Sequence, residues 1–316
     1  MPPVPPDTIA GLLVLLAAGG ALFALALFVW TVRMLTHPPR RGFGWAVAHN
    51  RPSNPGELEG EPPAFTEWTF KSLGIDLPVW DIAGSNPAGP CVILTPGWGQ
   101  GRVGCLDRVS GVLGAASRVL VWDTPATGEA KGRCTLGAHE ATMLADLIDR
   151  AQSERPIVLM GASMGAGVSI QVAAGRSGIA DVRIAGVLAE APYRVPFTPA
   201  KGVLTAANLP WALSLRPALA WVGIRSGAGP KWASFDRADH AANLRCPLLV
   251  LHGSDDNVCP IEDGQAIAQA ASSGAIIEFE GGDHHSLWRE PAWRAQCIEA
   301  SEAFLVKCAQ LTTGAT

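Results

Sequence analysis

The chain of 316 residues is poor in charge, because only 16% of its residues are charged while 48% are hydrophobic. It also lacks an excess of basic residues, with a formal net charge of −4 and a pI near 6.0. Net positive charge is what attracts proteins to nucleic acid without sequence preference. The composition therefore gives no reason to expect a nucleic-acid partner.

The seven cysteines include no Cys-x-x-Cys pair, the spacing typical of many zinc and thiol redox sites. Their number is odd, so they cannot all form disulfides within one chain. This agrees with a reducing compartment, where structural disulfides are rare. We interpret the cysteines as buried or inert thiols.

Charge is absent from one long stretch, Ile9–Trp30. As a helix rising 1.5 Å per residue it would span roughly 33 Å, enough to cross the hydrocarbon core of a bilayer. The alternative is a cleaved signal peptide, which would have a basic start and a shorter apolar core. Residues 1–8 contain no Lys or Arg, and the small-residue sequence Ala46-Val-Ala48 lies far beyond the apolar run. We therefore predict an uncleaved transmembrane anchor over residues 1–35.

The charges beside this stretch predict its orientation. Arg33, Arg40 and Arg41 follow it closely, whereas Asp7 precedes it. Because positive charge is retained on the cytoplasmic side of a membrane, we expect a single-pass protein whose C-terminal part is cytoplasmic.

The remaining chain divides by composition into a linker and a domain. Residues 36–64 are rich in proline and glycine and are expected to be extended and poorly packed. From 65 to 310 strands alternate with helices, which predicts an α/β fold with a doubly wound, mostly parallel sheet. The predicted strands are 65–72, 75–82, 91–95, 118–123, one starting at Ile157, 184–189, 248–252 and 276–279. The predicted helices are 137–153, one ending near Ala174, 261–272 and 291–309.

One segment interrupts the alternation. Residues 195–235 hold three tryptophans and five prolines between two predicted strands. Long insertions in compact domains often cover active sites, so we predict a small helical cap. A surface excursion with no contact to substrate is the alternative.

The most specific motif is Gly161-Ala-Ser163-Met-Gly165. An apolar strand precedes it and a helix of small residues follows, which is the context of a nucleophile elbow. Glycines fit at 161 and 165 because a side chain would crowd the turn. Ser163 then lies at a helix N-terminus, where backbone N–H groups favour a developing negative charge.

A serine hydroxyl is a weak nucleophile unless a base accepts its proton and a third group orients that base. Two later segments follow predicted strands and carry such groups. Residues 251–260 contain two adjacent aspartates, and residues 280–287 contain two adjacent histidines. The chain order is therefore serine, acid and base.

In these motifs the chain resembles an α/β-hydrolase, and the resemblance covers residues 65–310. In that family the acid follows a His-Gly pair and precedes a proline, which selects Asp256. Its neighbour Asp255 is then expected to make local turn hydrogen bonds. Glu190, at the end of another predicted strand, is a reserve candidate for the acid.

The family's base follows a glycine-rich turn near the C-terminus, which selects His284, after Gly281-Gly282. His285 is the alternative, and His252 is expected to shape its loop. The resemblance also implies an oxyanion hole made by the backbone amides of Trp98 and Met164. Pro96 stands where the family often has histidine.

Asp123 ends a predicted strand and starts a turn, where the family often has an aspartate that stabilises the turn. We expect it to be structural. The resemblance implies a serine hydrolase that cleaves carboxylic esters or thioesters through Ser163, His284 and Asp256, with no metal or organic cofactor.

The expected partners are a small-molecule acyl substrate and a membrane, and lipid-like acyl groups suit the anchor and the apolar cap. An acyltransferase or a peptidase with the same triad is an alternative, and so is a binding module without catalysis. The sequence does not indicate the oligomeric state.

Overall fold

In the described part of the chain, eight strands form one sheet. The computed structural model describes residues 6–175 and 184–313, and side chains within 7–175 and 184–310. Residues 1–5 of the predicted anchor and 176–183 of the predicted domain lie outside this part. The strands are β1 (Phe65–Ser72), β2 (Ile75–Ala83), β3 (Cys91–Thr95), β4 (Arg118–Trp122), β5 (Ile157–Ala162), β6 (Ile184–Glu190), β7 (Leu248–Gly253) and β8 (Gly274–Phe279). They lie in the order β1-β2-β4-β3-β5-β6-β7-β8. β2 is antiparallel to both of its neighbours, β1 and β4, and all pairings from β4 to β8 are parallel.

Helices cover both faces of this sheet, which confirms the predicted doubly wound α/β fold. The described helices are α1 (Pro6–Thr36), α2 (Phe43–Ala48), α3 (Leu106–Val112), α4 (Glu140–Arg150), α5 (Met164–Ala173), α6 (Phe197–Ala206), α7 (Leu215–Arg225), α8 (Arg237–Ala241), α9 (Ile261–Ala270) and α10 (Pro291–Thr313). Side chains alternate along β3, so Val92 packs with α3 and α10 while Ile93 packs with α4 and α5. Parallel strands buried on both faces explain the continuous apolar runs in the sequence.

The segment predicted to be a loose linker is more closely packed than its composition suggests. It contains α2 and a 3-10 turn over Pro55–Glu57. Ala46 and Leu58 are buried, and Arg51 donates a hydrogen bond to Asp107 Oδ1 at 3.1 Å. Proline-rich composition disfavours regular structure, but it does not prevent apolar and charged side chains from finding partners on a neighbouring domain.

The N-terminal helix has two distinct parts. Asp7–Thr36 is long and apolar enough to cross a membrane, and a signal sequence would meet the same criteria. Its first turns are exposed, whereas its last turns pack against the cap. Thr31 Oγ1 donates a hydrogen bond to Ser214 Oγ at 2.8 Å, and the rings of Phe28 and Trp221 meet edge to face. Leu35 is only 3% exposed.

The segment predicted as a cap contains helices α6 and α7. Apolar side chains of both helices form one cluster with the end of α1 and with Met164 at the start of α5. The cap therefore packs against the N-terminal helix on one side and near the Ser163 turn on the other.

A buried ion pair and a tryptophan hydrogen bond connect α3, the end of β6 and the chain after β8. Arg108 on α3 donates to both carboxylate oxygens of Glu190 at the end of β6, at 2.5 and 2.6 Å. Trp288, after β8, donates its indole N–H to the same carboxylate at 2.8 Å. Burial opposes the charge of Arg108, but the contact with Glu190 outweighs it and raises the pKa of the guanidinium.

Removing one partner of this pair is expected to destabilise the fold. Arg108→Met leaves a buried carboxylate without its cation, so the free energy of unfolding should fall by about 3–5 kcal/mol. Arg51→Met breaks a partly exposed pair with Asp107 and should cost less than about 1 kcal/mol. Urea unfolding of both variants checks this, and adding Glu190→Gln to the first should restore part of the loss. Equal costs for the two single variants would contradict it.

Candidate active site

Ser163 lies in a tight turn between β5 and α5, and its backbone has φ 52° and ψ −114°. A Cβ atom on Gly161 would lie 2.3 Å from the backbone of Gly165, and one on Gly165 would lie 2.1 Å from the carbonyl oxygen of Thr95. These approaches confirm that side chains at the two glycines would crowd the turn. The Ser163 amide donates to the backbone oxygen of Glu190 at 2.8 Å, which fixes the turn to β6.

Ser163 and His284 line the same cavity, which has a volume of about 400 Å³. Both residues are nearly buried, with 8% and 9% of their surface exposed. Most of the wall is apolar and comes from α6, the loop after β3 and the chain following α1. The cavity lies beyond the carboxyl ends of parallel strands, where open α/β sheets bind ligands.

The structure pairs Asp256 with His284 rather than with His285. The Asp256 Oδ2 atom is 2.7 Å from His284 Nδ1. His285 packs edge to face on the His284 ring and donates its backbone N–H to Asp283. Asp255 is exposed and accepts a hydrogen bond from Ser254, as expected for a turn residue.

The Asp256 carboxylate is held in its charged form. Its other oxygen accepts hydrogen bonds from the backbone amides of Val258 and Cys259 at 2.9 and 2.8 Å. Burial opposes the negative charge, but the nearby His252 ring and the hydrogen bonds from His284 and the Cys259 amide hold the pKa of Asp256 well below its usual range. A negative carboxylate beside Nδ1 makes this nitrogen the donor and leaves Nε2 free to accept a proton.

Cys259 lies unexpectedly close to the serine. Its Sγ atom is 3.9 Å from Ser163 Oγ, and within the described residues Ser163 Oγ makes no hydrogen bond to His284. Hydrogen bonds between nucleophile and base are often long without substrate and shorten when it binds. Cys259 belongs to the loop that carries Asp256, but nothing in the sequence shows that its side chain turns toward Ser163.

Asp256, Cys259 and His284 offer three atoms within 4.8 Å of one another that could in principle hold a metal ion. Two of them already form the short contact with each other. Burial, followed by the nearby Asp256 charge, raises the pKa of the Cys259 thiol well above its usual value, which disfavours the thiolate that metals bind. A hydrogen bond between Asp256 and His284, with Cys259 as a neutral thiol beside it, therefore accounts for these side chains better than a metal site does.

The predicted oxyanion donors belong to two segments, the first turn of α5 and the loop after β3. Met164 starts α5, so its amide has no carbonyl partner inside the helix. Trp98 lies in the loop after β3, where its indole donates to the carbonyl oxygen of Leu35 at 3.0 Å. Neither backbone amide donates to another residue in the described part of the chain. Gln100 accepts from the Gly97 amide and braces this loop.

The remaining polar residues singled out in the sequence have structural partners. Glu190 is occupied by Arg108 and Trp288, so it is not free to orient a histidine. Asp123 accepts hydrogen bonds from the backbone amides of Arg102 and Glu129, which closes a turn.

His252 is fully buried below the site. Its Nε2 is 2.8 Å from the Cys259 carbonyl oxygen and 3.6 Å from Asp256. It therefore shapes the loop that presents Asp256.

A sequence model of the alpha/beta hydrolase family matches residues 92–296. The chain belongs to this family. It is thus a hydrolase by family, in agreement with the resemblance of its motifs. A search of curated proteins finds no match.

Solved structures share the fold of this α/β-hydrolase. An esterase from Pyrococcus furiosus is 18% identical, with a TM-score of 0.61 over 86% of this chain and 98% of the esterase. An esterase from Rhodococcus sp. is 17% identical, with a TM-score of 0.55 over 77% and 98% of the two chains. A predicted hydrolase from Thermoplasma acidophilum is 18% identical, with a TM-score of 0.52 over 77% and 98%. At such low identity the likeness concerns the fold.

The charge of Asp256 should make part of the stability of this α/β-hydrolase depend on pH. Its pKa is lower in the folded than in the unfolded chain, so its contribution is complete at neutral pH and is lost as pH falls below about 5. The difference in free energy of unfolding between wild type and Asp256→Asn should therefore shrink with falling pH. Urea unfolding at a series of pH values measures it, with the exposed Asp255→Asn as control. A difference that stays constant down to about pH 2.5 would refute the expectation.

Proposed function

We propose that this α/β-hydrolase is a serine esterase that cleaves carboxylic esters or thioesters through an acyl-enzyme. The contact of 2.7 Å between Asp256 and His284, in the same cavity as Ser163, carries the proposal. The three residues come from different strand ends, and an acid that orients the base beside the serine is what nucleophilic catalysis by serine requires. The esterases that share the fold support the same reaction type.

In the proposed reaction Ser163 Oγ attacks the acyl carbon while its proton passes to His284 Nε2. The carbonyl oxygen gains the negative charge, and the amides of Trp98 and Met164 stabilise it. Collapse of this intermediate expels the alcohol or thiol, which takes the proton from His284. Water then gives a proton to His284 and attacks the acyl-enzyme, which releases the acid and restores Ser163. Asp256 holds the histidine and stabilises its positive form.

The cavity wall supports an apolar acyl group as part of the substrate. Leu136, Ala200, Val203 and Val258 face the cavity with few polar neighbours. Binding such a group would release water from apolar surface, which is favourable by about 25 cal/mol per Å². Acyl transfer to an alcohol would use the same residues, and it differs only in the molecule that attacks the acyl-enzyme.

We also propose that α1 remains attached as a membrane anchor. Leu35 lines the cavity, and its carbonyl oxygen accepts the hydrogen bond from Trp98. The Thr36 carbonyl oxygen accepts another from the Cys134 amide at 2.9 Å. Cleavage after Ala48 would remove these contacts and open the cavity wall. The basic residues after α1 then favour a cytoplasmic location for the domain.

Substitution of the proposed triad should abolish activity. Ser163→Ala and His284→Ala should each lower kcat for a p-nitrophenyl ester by about 10⁴-fold or more, and Asp256→Asn by a similar factor. His285→Ala should retain most of it, because His285 does not contact Asp256. A fluorophosphonate probe should label wild type but not Ser163→Ala. A folded wild type that is never labelled would refute the mechanism.

The anchor proposal predicts that one polypeptide carries both ends of the sequence. A chain tagged at both termini should be found in the membrane fraction at full length, with both tags on one band. In sealed vesicles of known orientation, protease should reach the C-terminal tag from the cytoplasmic side only. A mature protein that begins after Ala48 would contradict the anchor. A C-terminal tag exposed on the opposite side of the membrane would contradict the orientation.

A further inference from the structure

One wall of the cavity carries a cation that the proposed reaction does not use. Arg41 lines the cavity together with Ser163 and His284. Its Nη1 atom is buried and has no hydrogen-bond partner in the described part of the structure. A buried polar group without a partner is costly, and the cost is larger for a charged group. Arg41 is therefore a cation of the cavity wall whose hydrogen-bonding capacity is not fully used by the described residues.

Neighbouring packing holds Arg41 without neutralising it. The guanidinium lies 5.1 Å from the centre of the Trp45 ring. Among the described residues, no carboxylate is within ion-pair distance of it. Burial, followed by the positive charges of Arg289 and Arg108, lowers the pKa of Arg41 from its usual value. The charged groups nearest to Arg41 are thus mainly positive and do not neutralise its own charge.

The acidic groups of this region are already engaged. Asp107 binds both Arg51 and Arg289, and Glu190 binds Arg108. Each other arginine of the group therefore has a carboxylate partner, and Arg41 does not.

His285 also lines the cavity but does not supply a charge there at neutral pH. Partial burial, followed by the neighbouring His284 ring and the Arg41 guanidinium, lowers the pKa of His285 to about 4. This leaves Arg41 as the unpaired cation of the described cavity wall.

We propose that Arg41 binds an anionic group, a carboxylate or a phosphate, that the ester substrate carries in addition to its acyl chain. This inference rests on the proposed esterase function and specifies its substrate class. An anion in the cavity would supply the counter-charge that the Arg41 guanidinium lacks, and a guanidinium binds the oxygens of either group well. The apolar remainder of the wall would accommodate the acyl chain, so the substrate is an amphiphile.

The placement of Arg41 depends on the end of α1. Trp98 and Cys134 bind the carbonyl oxygens of Leu35 and Thr36, which fixes where the following chain runs. Five residues beyond Thr36, Arg41 reaches the cavity, whereas its neighbour Arg40 is exposed and donates to the Gly128 carbonyl oxygen at 3.2 Å. Arg40 is thus a matched control with the same charge and almost the same chain position.

Binding to the full-length chain with Ser163→Ala, in detergent micelles, tests the proposal without hydrolysis. The first pair of probes is 1-decanoylglycerol 3-phosphate and the neutral 1-decanoylglycerol. The second pair is 4-(decanoyloxy)butyrate and its neutral methyl ester. The anionic member of at least one pair should bind roughly tenfold to hundredfold more tightly by calorimetry. The pair that shows the preference identifies phosphate or carboxylate as the group recognised.

Substitution of Arg41 should remove this preference. Adding Arg41→Gln should lower the ratio of anionic to neutral affinity by about tenfold or more, and Arg40→Gln should leave the ratio within about twofold. Arg41→Lys keeps the charge without the planar fork and should give an intermediate ratio. In the active chain, the ratio of kcat/KM values for the same pairs should follow the same order.

The outcomes separate this inference from the esterase proposal. If no pair shows a preference with Arg41 present, or if Arg40→Gln lowers the ratio as much as Arg41→Gln, the inference is overturned. This holds even if the fluorophosphonate probe labels Ser163. If the preference depends on Arg41 but wild type is neither labelled nor able to hydrolyse any probe, the anion site stands and the esterase proposal fails.

Discussion

The site depends on a backbone contact between the end of β3 and the start of α5. A Cβ atom on Gly165 would lie 2.1 Å from the Thr95 carbonyl oxygen and 2.6 Å from that of Pro96. This approach requires glycine at 165, and the backbone of Ser163 in the same turn is strained, with φ at 52°. It also brings the loop that carries Trp98 beside the first turn of α5. The same contact therefore places the serine and both proposed oxyanion donors together, before any side chain contributes.

The sequence predicts those features whose physical cause is local. The alternation of strands and helices along the sequence is sufficient to predict the doubly wound sheet. The strand-glycine-serine-glycine-helix pattern is sufficient to predict the turn at Ser163. The helix predicted over 137–153 is shorter in the structure, at Glu140–Arg150, and α3 was not predicted. α3 is short and contains serine and glycine, so its stability comes from packing against the sheet rather than from helix propensity.

The cavity wall could not be predicted because it is assembled from distant segments. Leu35 lies in the last turn of α1, Arg41 follows that helix and Cys259 follows β7, yet all three lie near Ser163. In the sequence Arg41 is one of several basic residues flanking an apolar run, a pattern that indicates only membrane orientation. Its second role depends on two hydrogen bonds to backbone carbonyl oxygens at the end of α1, one from the Trp98 indole and one from the Cys134 amide. Such bonds join residues too far apart in the chain to leave a sequence pattern.

The end of α1 thus connects two features that look unrelated in the sequence, an apolar helix and a cation in the cavity wall. As a proposed membrane anchor, α1 would place its exposed turns in a bilayer, while the partly buried Arg41 lacks a counterion among the described residues. A neutral acyl chain would satisfy neither the Nη1 atom of Arg41 nor the excess positive charge around it. An acyl ester that bears an anion would provide the Arg41 guanidinium with a partner and would offset the positive charge around it. Its acyl chain would leave the apolar wall to exclude water from Ser163. Since a low-dielectric site strengthens each charge interaction, the anion and the developing oxyanion would both bind more strongly in this cavity, where Ser163 and His284 are nearly buried, than in water.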